Sequence, residues 1–496
     1  MTSTQQHPPA GASMRFDDWR LGYESQRREE AYWLDREAIV GTIPAELQGT
    51  LFRNGPGLLD VGGTPIHHPF DGDGTICAVT FRDGRAHFQN RFVRTEGFCA
   101  EQAGCRILYR GVFGTQKPGG WTSNAFDFRL KNIANTNVIY WGGKLLALWE
   151  AGLPHCLEPG TLETFGTDEL DGAIADTCAF SAHPRVDPCS QLDGGAPCLV
   201  NFCIKPGLST TIWVYEFTTD CQLLRKHAHS VPGFAFIHDF AITPNYCLFF
   251  QNSVSFNPIP FALGLRGAGE CVKFQPQKPT RVLVVPRDPA RQDVKVLEVE
   301  AGFVFHHANA CELDEQTLRI DSICYADFPK VEPGSDFRDL DFSALAPGQL
   351  WRFTLNLNAG TVDRQLAIAR HCEFPCVHPQ HVGRPYRYLF LAAADRPTGT
   401  APLQAILKYD WETGETCLWS AAPRGYTGEP VFVPMPDATE EDAGWLLVLT
   451  YDASAHRSVV VVLDARDLSV VTDLRLKYHI PFGLHGTWTP ECFVST

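Results

Sequence analysis

The chain has 496 residues, 44% hydrophobic and 20% charged, a balance that suits a globular protein with a sizeable core and excludes a disordered or low-complexity one. Its formal net charge of −15 argues against a nucleic-acid backbone as partner, because neutralising phosphates needs clustered Lys and Arg. The seventeen cysteines are odd in number and nowhere spaced C-x-x-C, which fits free thiols in a reduced, cytoplasmic setting better than a secreted disulfide scaffold.

Residues 1–15 lack an apolar signal-peptide core and read as a flexible leader. From 16 to 496 no Pro-, Gly- or Ser-rich linker cuts the chain, so this stretch reads as a single domain. No run of about eighteen apolar residues occurs, so no membrane-spanning helix is expected. Helical periodicity is scarce. Residues 138–150, VIYWGGKLLALWE, read instead as strand, Gly-Gly turn, strand. The same grammar returns in IWVYEFTTDCQLLRK from Ile212, LWRFTLNLNAGTVDRQL from Leu350, ILKYDWETGETCLWS from Ile406 and VVVVLDARDLSVVTDLRL from Val459. Repeated antiparallel hairpins over this length predict an all-β propeller, which limits exposed sheet edges by radial closure. At about seventy residues per blade, roughly seven blades fit. One insertion, FNPIPFALGLRGAG at 256–269, is apolar and Pro-broken; it reads either as a loop packed on the core or as a peripheral membrane contact.

The most informative stretch is GFVFHHANA, 302–310, with His306 and His307 inside an apolar run. A buried imidazole is costly unless both ring nitrogens are satisfied, and a metal on one with an acceptor on the other does this. In a strand the two side chains point to opposite faces, so only one of them can face a metal. A core histidine bonded to backbone carbonyls is the alternative. Three more histidines lie among small or aromatic neighbours far apart in the chain: His183 in SAHPR, His238 in FAFIHDF and His485 in GLHGTW. Such separation is expected if each comes from a different blade and points to a common axis. His7, His227, His229 and His456 sit in polar stretches and are expected to be solvated. His371, His378 and His381, with Cys372 and Cys376, match no common zinc-ligand spacing.

These histidine segments, together with RNGPG (53–57), HPFDGDG (68–74) and NIANTN (132–137), resemble the carotenoid cleavage oxygenases over about residues 16–485. The resemblance implies a seven-bladed β-propeller with loops and short helices forming a dome over an axial non-haem Fe(II). It assigns the metal to His183, His238, His306 and His485, leaving His307 on the other face and setting aside the rival His479. An all-imidazole shell suits Fe(II) and leaves the ion its full charge. Glu150, Glu373 and Glu429 would hold the far nitrogens of His238, His306 and His485 respectively, while His183 would have no such partner. Thr136 matches a position whose methyl group shields one side of the metal, leaving room for O2 as co-substrate. Phe70, Phe113, Trp149, Phe305 and Tyr325 fall near these motifs and are the candidate walls of a substrate tunnel.

The implied activity is cleavage of a conjugated double bond in a lipophilic polyene with O2. The expected substrates are apocarotenals or apocarotenols cut at the 15,15′ bond, giving retinal and a second aldehyde. Metal and oxygen carry that chemistry, so no acid–base pair is required. No obligate protein partner is evident. The alternatives are a stilbene-cleaving dioxygenase, for which Lys131 or Tyr140 would have to point into the tunnel, an isomerohydrolase acting on retinyl esters, and a carotenoid-binding propeller without catalysis.

Overall fold

The hairpins read from the sequence are the building unit of the molecule. The computed structural model describes residues 16–494 except 178, 206, 208, 292 and 329–335, so the expected leader lies outside the described residues. Strands Asn137–Trp141 and Lys144–Leu148 meet through Gly142 and Gly143, whose φ of +58° and +76° suit a two-residue hairpin turn. The other four expected hairpins form Ser209–Phe217 with Leu223–Pro232, Gln349–Asn356 with Thr361–Ile368, Leu403–Asp410 with Thr416–Ser420, and Arg457–Asp464 with Val470–Arg475.

Seven antiparallel sheets of four or five strands stand around one axis as blades, with two small two-stranded ribbons outside them. The ring closes by interlocking the two ends of the chain. Gly486–Thr489 adds an inner strand beside Gly49–Leu58, while Ile39–Gly41 adds an outer strand beside Val470–Arg475. Alternating side chains fill the gaps between neighbouring blades; Leu51, Val79 and Phe88, for example, pack against Trp445, Leu447 and Val460.

The innermost strands position the site. Six of them touch in succession around most of the axis: Arg185–Asp187, Phe240–Ile242, Phe303–Glu312, Cys372–Cys376, Gly425–Pro434 and Gly486–Thr489. The seventh, Asn137–Trp141, packs on Gly486–Thr489 and reaches back through Asn137, whose amide donates to the Ala182 carbonyl at 2.7 Å. Above one end lie the loops around 94–135 and 252–275, with short helices Glu96–Gly104, Trp121–Asn124 and Pro258–Ala262. No described helix is long and apolar enough to cross a membrane. The described cysteines are all free thiols.

Two histidines read as solvated are not. His227 and His229 are buried and hydrogen bonded to each other, Nδ1 to Nε2, at 2.8 Å. They are two apart on strand Leu223–Pro232 and so share its inward face. Burial drops His227 to about 4, with His229 adding to the effect.

The third and fourth blades are joined by ions. Arg287, fully buried, donates from Nη1 to Asp187 at 2.7 Å and from Nε to Glu216 at 2.9 Å. Arg225 also bonds Glu216 and pairs with Asp193. Asp193, Cys198 and Glu216 lie close enough to hold a cation, but these two guanidinium groups already occupy that charge. Replacing Arg287 by Met takes the shared, fully buried counter-ion from Asp187 and Glu216, leaving them only Arg384 and Arg225 respectively, and should destabilise the fold by about 3 kcal/mol. Urea unfolding followed by tryptophan fluorescence measures this, and an unchanged midpoint would show that the network carries no net stability.

Candidate metal centre

Four blades deliver one histidine each to the axis. His183 and His238 sit in the loops just before the inner strands Arg185–Asp187 and Phe240–Ile242, and His485 just before Gly486–Thr489. His306 lies within Phe303–Glu312, where the pairing slips between Val304 and His307. The slip turns one imidazole of the pair to the axis. His307 faces the other way, its Nδ1 2.7 Å from Ser322 Oγ and its ring against Phe250.

The four imidazoles place one nitrogen each within 4.8 Å of all the others. His183 Nε2 and His238 Nε2 are 2.9 Å apart. Ring centroids are separated by 4.6 Å for His183 and His485 and by 4.9 Å for His306 and His485. His306 Nε2 is buried and has no hydrogen-bond partner.

Carboxylates fix the far side of three rings. His238 Nδ1 donates to Glu150, His306 Nδ1 to Glu373 at 2.5 Å and His485 Nδ1 to Glu429 at 2.8 Å. With the proton held on Nδ1, each Nε2 keeps its lone pair, and the lone pairs converge on one point. Convergent lone pairs repel unless a cation lies between them, so this donor set fits a metal. The His371, His378 and His381 group, whose spacing fits no common zinc site, forms no donor cluster among the described residues: His371 Nδ1 accepts from Gly348 N, and His381 Nδ1 faces the Pro385 carbonyl. His479 is also elsewhere, with Nε2 3.0 Å from the Glu24 carbonyl.

The three carboxylates differ in their surroundings. Burial favours the neutral form of Glu429, but His485 and Arg53 outweigh it and hold its carboxyl at about 2. Glu373 is likewise held below the usual carboxylate range despite burial, by His306, the Phe374 N–H and the Tyr325 hydroxyl. Tyr325 donates to Glu373 at 2.9 Å, and burial together with that carboxylate pushes the phenol well above its ordinary range. Glu150 is the most open, its side chain 34% exposed against 10% for Glu373 and 16% for Glu429. Among the described residues no carboxylate pairs with His183. Its pKa is driven far below the imidazole range by burial and by the other three rings.

A cavity of about 640 Å³ opens on the centre. Phe70, Phe113, Trp149, Phe305 and Tyr325 all line it, as do Thr136, Glu150, His238, His306 and His485. Most of the remaining wall is apolar, including Phe234, Phe236, Phe256 and Leu130. The polar groups are concentrated at the histidine end. Thr136 Oγ1 donates to Asn135 Oδ1 at 3.1 Å, and the Thr136 carbonyl accepts from His485 N at 3.2 Å.

Several contributors escaped the sequence reading. Arg53, in the RNGPG segment, pairs with Glu429 and also donates to the Leu484 carbonyl at 2.8 Å. Asn135, in the NTN segment, donates to the carbonyls of Gly72 (2.7 Å) and Phe70 (3.3 Å) and so ties a tunnel wall to the centre. Phe374, at φ +53°, sets its ring 5.3 Å from His485 and 5.6 Å from His306. Asp239 accepts from Arg185 at 2.6 Å and from His307 N at 2.8 Å, bracing the backbone behind His238. Arg53, Asn135 and Asp239 stood inside quoted motifs, whereas nothing in the local sequence marks Phe374.

Comparison with known proteins agrees with this geometry. Residues 23–490 match the family model described as retinal pigment epithelial membrane protein. The chain is 54% identical to apocarotenoid-15,15′-oxygenase of Synechocystis, across 98% of this chain and 99% of that protein. It is 30% identical to resveratrol cleavage oxygenase 1 of Aspergillus fumigatus, across 91% of each. The crystal structure of cobalt-substituted Synechocystis apocarotenoid oxygenase matches with a TM-score of 0.93 at 55% identity, covering 95% of this chain and 98% of that one. The chain therefore belongs to the retinal pigment epithelial membrane protein family of carotenoid oxygenases.

Proposed function

We propose that the protein is a non-haem Fe(II)-dependent oxygenase that cleaves a conjugated double bond of apocarotenals or apocarotenols with O2, at the 15,15′ bond, giving retinal and a second aldehyde. The observation that carries this reading is the buried, unpartnered His306 Nε2 among three further imidazoles at the end of an apolar cavity. His183, His238, His306 and His485 would hold the iron, and imidazole is a fitting ligand for it. Fe(II) bound there would supply the activation of O2.

The chain's own residues do the positioning. Glu150, Glu373 and Glu429 keep the Nδ1 protons in place and so aim the Nε2 lone pairs inwards. Thr136 lines the cavity and engages its hydroxyl with Asn135, and its methyl group would narrow access to the histidines. The aromatic walls hold a rigid polyene at low entropic cost and exclude water, and depth of insertion selects the bond presented to the centre.

The stilbene reading loses its support. Lys131 is buried between Asp73 and Glu101, 2.6 Å from each, and the Tyr140 hydroxyl donates to Glu491 at 3.0 Å. Neither lines the cavity, so neither can orient a phenol there. For the lipophilic substrate we add a lipid surface as its source. Beside the cavity Trp121, Phe126, Phe128, Ile259 and Leu265 are 59%, 70%, 58%, 63% and 58% exposed, an apolar patch from two adjacent loops.

Three outcomes are expected. The Fe(II)-loaded protein should bleach an apocarotenal only when O2 is present and yield retinal by chromatography; anaerobic turnover would favour isomerohydrolase chemistry, and intact polyene with bound iron would favour a binding protein. His306→Ala should lose iron by elemental analysis while keeping its β circular dichroism; a mutant that retains full iron and activity would remove it from the ligand set. Glu373→Gln should cost roughly 10–100-fold in activity or metal affinity, less than loss of a ligand. Equal damage from both substitutions would mean that Glu373 does more than orient.

A further inference from the structure

Arg110 is fully buried, yet among the described residues no carboxylate is hydrogen bonded to it. Burying a guanidinium is expensive unless its donors are met, and here backbone carbonyls meet those of Nη1 and Nη2, while Nε is buried without a partner. Nη1 donates to the carbonyls of Asp127 (2.8 Å) and Asn124 (3.3 Å); Nη2 donates to those of Arg266 (2.8 Å) and Phe261 (3.0 Å). The guanidinium carbon lies 4.2 Å from the Phe261 ring centre. The four carbonyls belong to two loops, one carrying Trp121, Phe126 and Phe128, the other Ile259 and Leu265. Among the described residues no other side chain is hydrogen bonded to the backbone of both.

The loops are joined by backbone as well. Phe126 N donates to the Ala262 carbonyl at 2.7 Å. Gly264, at φ +69°, lies so close to the first loop that a Cβ would sit 2.5 Å from the Ala125 nitrogen. Both loops run directly into the cavity wall, through Leu130 on one and Pro258, Ala268 and Gly269 on the other. Exposed apolar surface and tunnel are therefore continuous. Arg110 itself pairs by backbone with Leu130, at the inner edge.

We propose that Arg110 is a positioning residue that clasps the two apolar loops into one preformed surface at the tunnel mouth, so that substrate passes from a lipid layer into the cavity. The inference rests on the membrane reading given above. A fixed patch presents its apolar side chains together, and binding to a lipid interface scales with the apolar area presented at once. Two loops moving independently would present less, and would leave the mouth undefined. Lipid is the occupant the page favours, because the patch continues into a cavity fit for a lipid-soluble polyene and is flanked by the exposed cation of Arg266 on a chain of net charge −15.

The test compares Arg110→Met, which keeps bulk and loses the donors, with Arg110→Lys and with the patch double variant Phe126→Ser/Ile259→Ser. Each full-length, iron-loaded protein is mixed with phosphatidylcholine vesicles containing a fraction of phosphatidylglycerol. Binding is read by co-sedimentation, and an apocarotenal is supplied either in the vesicles or in detergent micelles. Arg110→Met should bind vesicles about tenfold more weakly and raise KM for vesicle-borne substrate by a similar factor, with kcat in detergent within about twofold of the parent. Arg110→Lys, which keeps the charge and some of the donors, should fall between. If the patch variant binds vesicles as the parent does, the membrane reading fails, and a changed sedimentation coefficient in that variant would point to a second copy as occupant. If the patch variant loses binding but Arg110→Met and Arg110→Lys do not, the membrane reading stands and the role of Arg110 fails. Loss of iron and of kcat in detergent by both Arg110 variants would make Arg110 a general structural residue and overturn the proposal.

Discussion

Four imidazole nitrogens brought to one point cannot share it unaided. At the 2.9 Å between His183 Nε2 and His238 Nε2 two lone pairs would repel, so the site needs a cation between the nitrogens or a proton on one of them. Glu150, Glu373 and Glu429 oppose the second solution by holding protons on the outer nitrogens. Glu373 and Glu429 then need their own stabilisation in a dry interior, and Tyr325 with the Phe374 N–H for the one and Arg53 for the other supply part of it. The centre is thus a chain of dependence running outward from one point, in which each shell is tolerable only because the next one exists.

The propeller suits such a chain because it offers many strand ends at one axis. Four strands contribute histidines at or near their inner ends, two carry glutamates, and one begins beside Thr136. Closure of the ring by both chain ends makes this arrangement stiff, since the inner strand that follows His485 is paired to Gly49–Leu58 and cannot shift alone. Rigidity matters for oxygen chemistry on a polyene: the protein contributes by holding a long apolar molecule at a fixed depth, not by moving protons to and from it.

Polarity in the cavity is segregated. Histidines, glutamates, Asn135, Thr136 and the Tyr325 phenol gather at the inner end, while most of the remaining wall is aromatic or aliphatic. Lys131, the cation nearest in sequence to the NTN segment, is withdrawn from the cavity by two carboxylates. The result is a site that recognises shape along its length and chemistry only at its end, and whose apolar character continues onto the exposed loops held by Arg110.

Much was legible in the chain because it was local. Alternating apolar runs around Gly142-Gly143 and the four similar turns specify hairpins, since strand periodicity and turn conformation are properties of a few adjacent residues. The separated histidine segments, by resemblance, named the four residues that do meet. What the chain could not show was anything set by approach across distant segments. His227 and His229 looked solvated because their neighbours are polar, and only the face their strand presents inwards buried them. Arg53 on Glu429 and Tyr325 on Glu373 span 376 and 48 residues, and Asp239 braces a loop through an arginine 54 positions away. The sequence by itself determined the strands, the turns and which four histidine side chains meet at the axis; the tertiary structure decided which imidazole nitrogen faces inwards and what holds it there. The reason is that a side chain's type is a property of one residue, whereas its orientation, proton position and charge depend on partners that only closure of the ring brings within hydrogen-bond distance.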